Sequence, residues 1–240
     1  MRTQILIGTA ALMATSLLAA SPKDEVKSAA KKLAESSGYA WKQTTDFGGG
    51  GQFRPGPTEG KITKDGVACV MMTRGDTTTE AFIKAGKVAV KTEEGWQTLE
   101  EAAPAGGGGG GGGGRGRFGL RMLSSFKAPA AQAEELADKT TDLKLADGAY
   151  TGELTEEGAK SLLTFGGRGG GGGQANVSGA KGSVKFWIKD GVLSKYEYRV
   201  QGTMSFGGND RDVDRTTTVE IKDVGTTKVE VPEEAKKKLS

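Results

Sequence analysis

The stretch Val184-Lys185-Phe186-Trp187-Ile188-Lys189-Asp190-Gly191 decides how the rest of the chain is read. Val184, Phe186 and Ile188 alternate with Lys185, Trp187 and Lys189, and Lys189-Asp190-Gly191 reads as a turn. Beyond it, Tyr196, Tyr198 and Val200 alternate with Lys195, Glu197, Arg199 and Gln201. Val219 and Ile221 alternate with Thr218, Glu220 and Lys222, and Val229 and Val231 repeat the pattern. A period of two puts every second side chain on one face of a sheet. The block therefore reads as consecutive antiparallel strands with one buried face and one wet, charged face. It describes a shaped apolar surface and no chemistry.

Upstream, the pattern continues. Ser21 can cap a helix that Pro22 opens, with Val26, Ala29, Ala30, Leu33 and Ala34 on one apolar face and Gly38 as its stop. Tyr39 to Phe47 reads as a strand. Lys64-Asp65-Gly66 and Gly86 then punctuate a meander of short strands that runs to Leu99. Phe118 to Phe126 and Pro129 to Ala137 read as helices, and Asp147-Gly148 as a hairpin turn. Thr155 caps a further helix, and Pro232 to Leu239 closes the chain as a short basic helix.

The N-terminus reads as an export signal. Met1-Arg2 is a short positive start, Ile5 to Leu18 is largely apolar, and Ala19-Ala20 supplies small residues for cleavage. A spanning helix needs about 20 apolar residues, and Pro22-Lys23-Asp24 arrives too early for that. The expectation is a signal peptide over residues 1–20 and a single exported domain over 21–240, periplasmic or extracellular and not an integral membrane protein. The 33 Lys and Arg residues against 30 Asp and Glu give a net charge of +3, too balanced to suggest nucleic acid as a partner.

Cys69 is the sole cysteine, so the fold relies on packing without internal disulfides. Its apolar neighbours argue for a buried small hydrophobe rather than a reactive thiol. The sequence contains no histidine. That excludes Ser-His-Asp and Cys-His catalysis and His-ligated metal sites. Asp210, Asp212 and Asp214 invite a calcium reading, but Arg215 and Ile221 stand where an EF-hand loop needs glycine and glutamate. A solvated loop or strand edge, neutralised by Arg211 and Arg215, is expected instead. Adjacent glutamates such as Glu93-Glu94 diverge on a strand or a helix and make poor acid–base pairs. No metal and no cofactor is expected.

Glycine-rich tracts at 48–51, 106–117 and 166–173, with Gly207-Gly208, fall between elements. Such runs bury nothing and carry a large ordering entropy, so they read as loop insertions. No tract ends in Gly-Lys-Ser/Thr, so a phosphate-cradling loop is absent. Trp187 is set apart among the tryptophans, because alternation puts it on the wet face. It either lies under lysine stems or meets another element.

Two stretches carry a resemblance. Thr79 to Trp96 is a strand, a tight turn at Ala85-Gly86, a strand, and Gly95-Trp96. Lys185 to Gly191 is followed by a Tyr-rich return strand, and the ending includes Val224-Gly225-Thr226 and Val231-Pro232. In these runs, and in the order helix, meander, central helices, second meander, the chain resembles the LolA-like superfamily. That group includes the periplasmic lipoprotein carrier, its outer-membrane acceptor and mycobacterial lipid-binding lipoproteins of the LppX/LprG type. The resemblance implies an α+β fold: a curved antiparallel half-barrel whose helices cover the concave face around an apolar cavity that binds acyl chains without catalysis. The mycobacterial members carry a lipid-modified cysteine at the mature start, and this chain has none there. The glycine insertions also lie outside the pattern, and no binding residue is carried over from the family.

Two functional readings follow. In one, an exported lipid- or acyl-binding module uses inward residues Val88, Val90, Phe186, Ile188, Tyr196, Tyr198, Val219 and Ile221. In the other, the same fold is filled by its own side chains and serves an envelope protein partner through its loops or charged face.

Overall fold

The computed structural model describes residues 20–48, 56–103, 119–120, 122–167, 176–206 and 208–240. Residues 1–19 of the expected export signal lie outside them, as do the 106–117 tract and most of the tracts at 48–51 and 166–173. The strands are β1 (Gly38–Phe47), β2 (Thr58–Thr63), β3 (Ala68–Arg74), β4 (Thr77–Lys84), β5 (Lys87–Thr92), β6 (Gly95–Thr98), β7 (Lys144–Ala146), β8 (Ala149–Glu153), β9 (Asn176–Lys189), β10 (Val192–Phe206) and β11 (Asn209–Lys222). They form one antiparallel sheet in the order β6-β5-β4-β3-β2-β1-β11-β10-β9-β8-β7. Two meanders are thus joined through β1 and β11, and the curved sheet does not close into a barrel.

Turn chemistry sets the meanders. Ala85-Gly86, Asp147-Gly148 and Asp190-Gly191 all have positive φ at both positions, the geometry whose twist matches two-residue hairpins. Ala85 holds φ 49° without the local hydrogen bonding available to Asp or Asn.

The helices follow the caps. Helix α1 (Pro22–Glu35) starts at Ser21, whose hydroxyl accepts from the Asp24 amide at 3.2 Å. It buries Val26, Ala29, Ala30 and Leu33 against β10, β9 and β1. Helix α2 (Leu99–Ala102) is fixed by a capping box between Thr98 and Glu101, so Leu99 starts a helix rather than ending a strand. A short helical turn at 122–124 precedes α3 (Pro129–Asp138), which packs on α1. Helix α4 (Glu156–Gly167) begins beyond Thr155, whose hydroxyl accepts from the Gly158 amide at 3.0 Å, and covers β9 and β10. Helix α5 (Glu233–Lys238) lies on the opposite face of the sheet, over β5 and β6.

Several expectations need correction. Residues 223–232 form no strand. Val229 and Val231 instead carry the chain across the outer face, where they pack with Leu239 and Ala235 on Phe82, Ala89, Cys69 and Trp96. The outer face is therefore wet on β9–β11 and covered on β3–β6. Cys69 is only half-buried in that second cluster. Burial, with Glu80 adding and Lys61 opposing, pushes its thiol up to about 11, which agrees with an unreactive thiol. Gly38 opens β1 and does not cap α1, which ends at Ser36, whose amide donates to the Leu33 carbonyl. Glycine is needed at 38 because a Cβ there would meet the Thr227 carbonyl oxygen at 2.7 Å and that of Ile62 at 2.8 Å. Asp210, Asp212 and Asp214 lie within β11 rather than in a loop; the described register with β1 ends at Arg215, so Asp210 and Asp212 stand on an exposed stretch laddered to β10, as the expected solvated strand edge requires. Trp187 lies on the outer face, beneath a lysine: Lys195, opposite it on β10, places Nζ 4.6 Å from the ring centroid.

A Cβ on Gly60 would collide with the Trp41 ring and with the Cys69 carbonyl oxygen. Gly60→Ala is therefore expected to lower stability by about 1–3 kcal/mol, read as the shift in urea midpoint. An unchanged midpoint would show that Trp41 does not rest on β2 as described.

Candidate functional site

The predicted wall is a continuous surface. On β9 and β10, Phe186 is opposite Tyr196 and Val184 opposite Tyr198. Tyr196 is in turn opposite Val219 on β11, whose Ile221 faces Trp41 on β1. Across β1 to β5 the same face carries Tyr39, Trp41, Ile62, Val70, Ala81, Ile83, Val88 and Val90. All eight candidate residues thus share the concave face. Val88, Val90, Phe186, Tyr196, Tyr198 and Val219 are buried in one cluster, with Phe186, Tyr196 and Val219 at 0% exposure. Ile188 and Ile221 are partly buried at its margin.

The helices close most of this surface. Val26, Ala29, Ala30 and Leu33 of α1, Ala130, Ala133, Leu136 and Ala137 of α3, and Ala159 and Leu163 of α4 all enter the cluster. Phe126 stacks on Trp41 with ring centroids 5.7 Å apart. Gly202 sets the distance of α4, since a Cβ there would meet Leu163 at 2.8 Å, and Gly182 admits Leu154 just before that helix, which a Cβ would meet at 2.8 Å. Partly exposed apolar side chains ring the covered area, among them Met72, Leu99, Leu120, Leu162, Ile188 and Ile221.

Two phenols mark the polar points of the interior. The Tyr196 hydroxyl donates to Gln132 Oε1 at 2.6 Å, and the Tyr39 hydroxyl accepts from the Ala130 amide at 3.3 Å. Both bonds tie α3 to the sheet. Burial pushes the Tyr39 phenol up to about 12 and that of Tyr196 well above its usual value, with Tyr198 and Tyr39 adding to the latter. The aromatic part of the surface offers carbon, shape and three phenols, Tyr39, Tyr196 and Tyr198. Among the described residues no group of three or more Cys, Asp or Glu side chains is placed to hold a metal ion.

The eight candidates leave out part of this surface. Tyr39, Trp41, Val26 and Leu33 also belong to it, and their strand and helix spacing carries that signal. Arg215 and Thr217 face inward as well and were not singled out for that face. Val213, Thr217, Val219 and Ile221 keep one parity, and Arg215 falls on it, a signal that counting only apolar residues hides. An open cavity of about 580 Å³ lies elsewhere, between the C-terminal segment and the sheet, lined by Thr63, Asp65, Lys84, Val229, Lys236 and Leu239 among others. None of the eight wall candidates lines it.

No protein-family model matches the sequence, and neither does any curated protein. Among solved structures the chain is similar to the lipoprotein LppX of Mycobacterium tuberculosis, at 10% identity over 87% of this chain and 97% of that one, TM-score 0.46. It is also similar to LprF of Mycobacterium bovis, at 10% identity over 88% and 96%, TM-score 0.44. A LolA-superfamily protein of Nitrosomonas europaea matches at 11% identity over 90% and 97%, TM-score 0.34. Likeness at this level concerns the arrangement of sheet and helices and says nothing of ligands.

The raised Tyr39 phenol has a pH consequence. The unfolded chain releases that proton near its ordinary value of about 10, while the folded protein holds it up to about 12. The contribution is intact below pH about 10 and is lost as pH rises through that window, on the order of 2 kcal/mol in all. Denaturation at stepped alkaline pH should show a steeper loss for the wild type than for Tyr39→Phe. Equal slopes would mean that Tyr39 is not shielded.

Proposed function

We propose that residues 21–240 form a single exported domain that binds a lipid or acylated ligand between the concave face of the sheet and helices α1, α3 and α4, without catalysis. The observation that carries this reading is the incompletely covered apolar concave face. Its wall spans both meanders, and its margins leave Met72, Leu99, Leu120, Leu162, Ile188 and Ile221 partly exposed. Apolar surface left at the edge of a covered face supports an acyl chain as occupant, since each buried methylene contributes about 0.8 kcal/mol. The helix faces that close the wall are rich in alanine, so they can be displaced at a smaller cost in contact area than leucine-rich faces. The leader over residues 1–20 supports a periplasmic or extracellular site of action, with cleavage near Ala20. Among the described residues no helix is long and apolar enough to cross a membrane.

One observation favours a second reading. Six of the eight wall residues are already enclosed by the protein's own side chains. A filled core would leave the charged outer face to an envelope protein partner and need no small ligand.

Fluorescent fatty-acid titration with native mass spectrometry separates the two. Carriage predicts a stoichiometric adduct with oleate, competed by other long acyl chains. It also predicts that Ile221→Trp, which adds bulk at the margin, weakens binding by about tenfold without loss of fold. Absence of any adduct at micromolar protein would leave the filled-core reading standing.

A further inference from the structure

Arg215 sits on β11 between Phe47 of β1 and Val200 of β10. It shares the parity of Thr217 and Val219, so its side chain turns to the concave face, while Asp214 and Thr216 turn outward. The expectation that Arg215 neutralises the aspartate run is therefore wrong. Asp214 is paired instead with Arg199 on the outer face, Nε to Oδ1 at 2.8 Å, and that guanidinium holds its carboxyl below the usual range. Asp210 and Asp212 are taken by Ser205 and Thr203, across the ladder on β10. These acids answer one another's neighbours on the far side of the sheet.

Inside, Arg215 reaches α4, where its Nη2 donates to the Leu162 carbonyl at 2.8 Å. Its Nε is shut off from solvent and has no hydrogen-bond partner among the described residues. None of the described carboxylates forms an ion pair with it. A shielded, unsatisfied donor on a cation is costly and rare in folded proteins. Beside it on the same face, the hydroxyls of Thr45 and Thr217 lie 3.5 Å apart, and Thr217 is buried to 2% exposure. The next register pair is Gln43 with Val219. A guanidinium, two hydroxyls and an amide thus follow one another along β1 and β11, directly continuing the apolar wall. This set is rich in donors and holds no carboxylate.

We propose that Arg215, with Thr45 and Thr217, recognises the anionic headgroup of an acyl ligand, a carboxylate or phosphate, whose chain runs along the wall toward Val219 and Ile221. The proposal deepens the acyl-binding reading and rests on it. A guanidinium presents parallel N–H donors that match the two oxygens of such a group. The Nε now without a partner supplies one of them.

The test compares oleate with oleyl alcohol, the same chain without charge, on the mature full-length protein, its Arg215→Gln variant and its Arg215→Lys variant. The wild type is expected to prefer oleate by about tenfold or more, and Arg215→Gln to abolish that preference while leaving oleyl alcohol binding within about twofold. Arg215→Lys should retain part of it, since charge remains and the fork is lost. Circular dichroism and thermal melting check that the variants fold. Should they not fold, the wild-type preference decides alone. Equal binding of oleate and oleyl alcohol by the wild type, or an unchanged preference in Arg215→Gln, overturns the headgroup assignment and leaves the apolar reading intact. Binding of neither overturns both. Displacement of oleate by millimolar inorganic phosphate overturns the acyl part and marks a free-oxyanion site.

Discussion

The pairing of β1 with β11 is the constraint on which the rest depends. It runs from Ala40 opposite Lys222 to Phe47 opposite Arg215, and it joins strands from opposite ends of the sequence. Closing so long a loop costs entropy that local hairpins do not meet. What offsets it is the apolar surface that becomes continuous only when the two meanders meet. Each meander alone would present half a wall and expose an edge strand. Together they make a face wide enough to seat α1, whose Val26, Ala29, Ala30 and Leu33 all pack into the shared cluster.

The two faces of the sheet are then used differently. The concave face takes the aromatics and branched aliphatics of both meanders. The outer face divides. Over β9–β11 it carries cross-strand contacts, with Arg199 reaching diagonally to Asp214 and Lys195 over the Trp187 ring. Exposed pairs of this kind add little to stability, but they keep a long antiparallel surface soluble. Over β3–β6 the C-terminal segment covers Phe82 and Ala89. Lys238 reaches back to Glu101 at 2.8 Å and holds that carboxyl below its usual range, with the Thr98 amide adding. One chain end is thereby fastened to the capping box of α2.

Much of this was legible because period two and turn residues are local signals. Val184 to Ile188, Tyr196 to Val200 and the Ala85-Gly86 turn announce strands, faces and hairpins without help from the rest of the chain. The first residues of β9 were hidden, because Ser178-Gly179-Ala180-Lys181-Gly182 has no apolar alternation, and Gly182 is small to admit Leu154. Val229 and Val231 kept the right spacing and still form no strand. Their partners are side chains of Phe82 and Ala89 on the outer face, not a neighbouring ladder. The alternation picks out the inward face but not its polar end. Arg215 reads as one more charge in a charged run, and only the parity of Thr217 and Val219 turns it inward.

The proposed function requires that an acyl chain occupy the concave face. Isotope-filtered nuclear Overhauser spectroscopy with methyl-labelled protein and unlabelled oleate tests this directly. It predicts contacts from the chain methylenes to the methyl groups of Val88, Val90, Val219 and Ile221. Contacts confined to outer-face residues, or to Val229 and Val231, or none at all under saturating oleate, would contradict it.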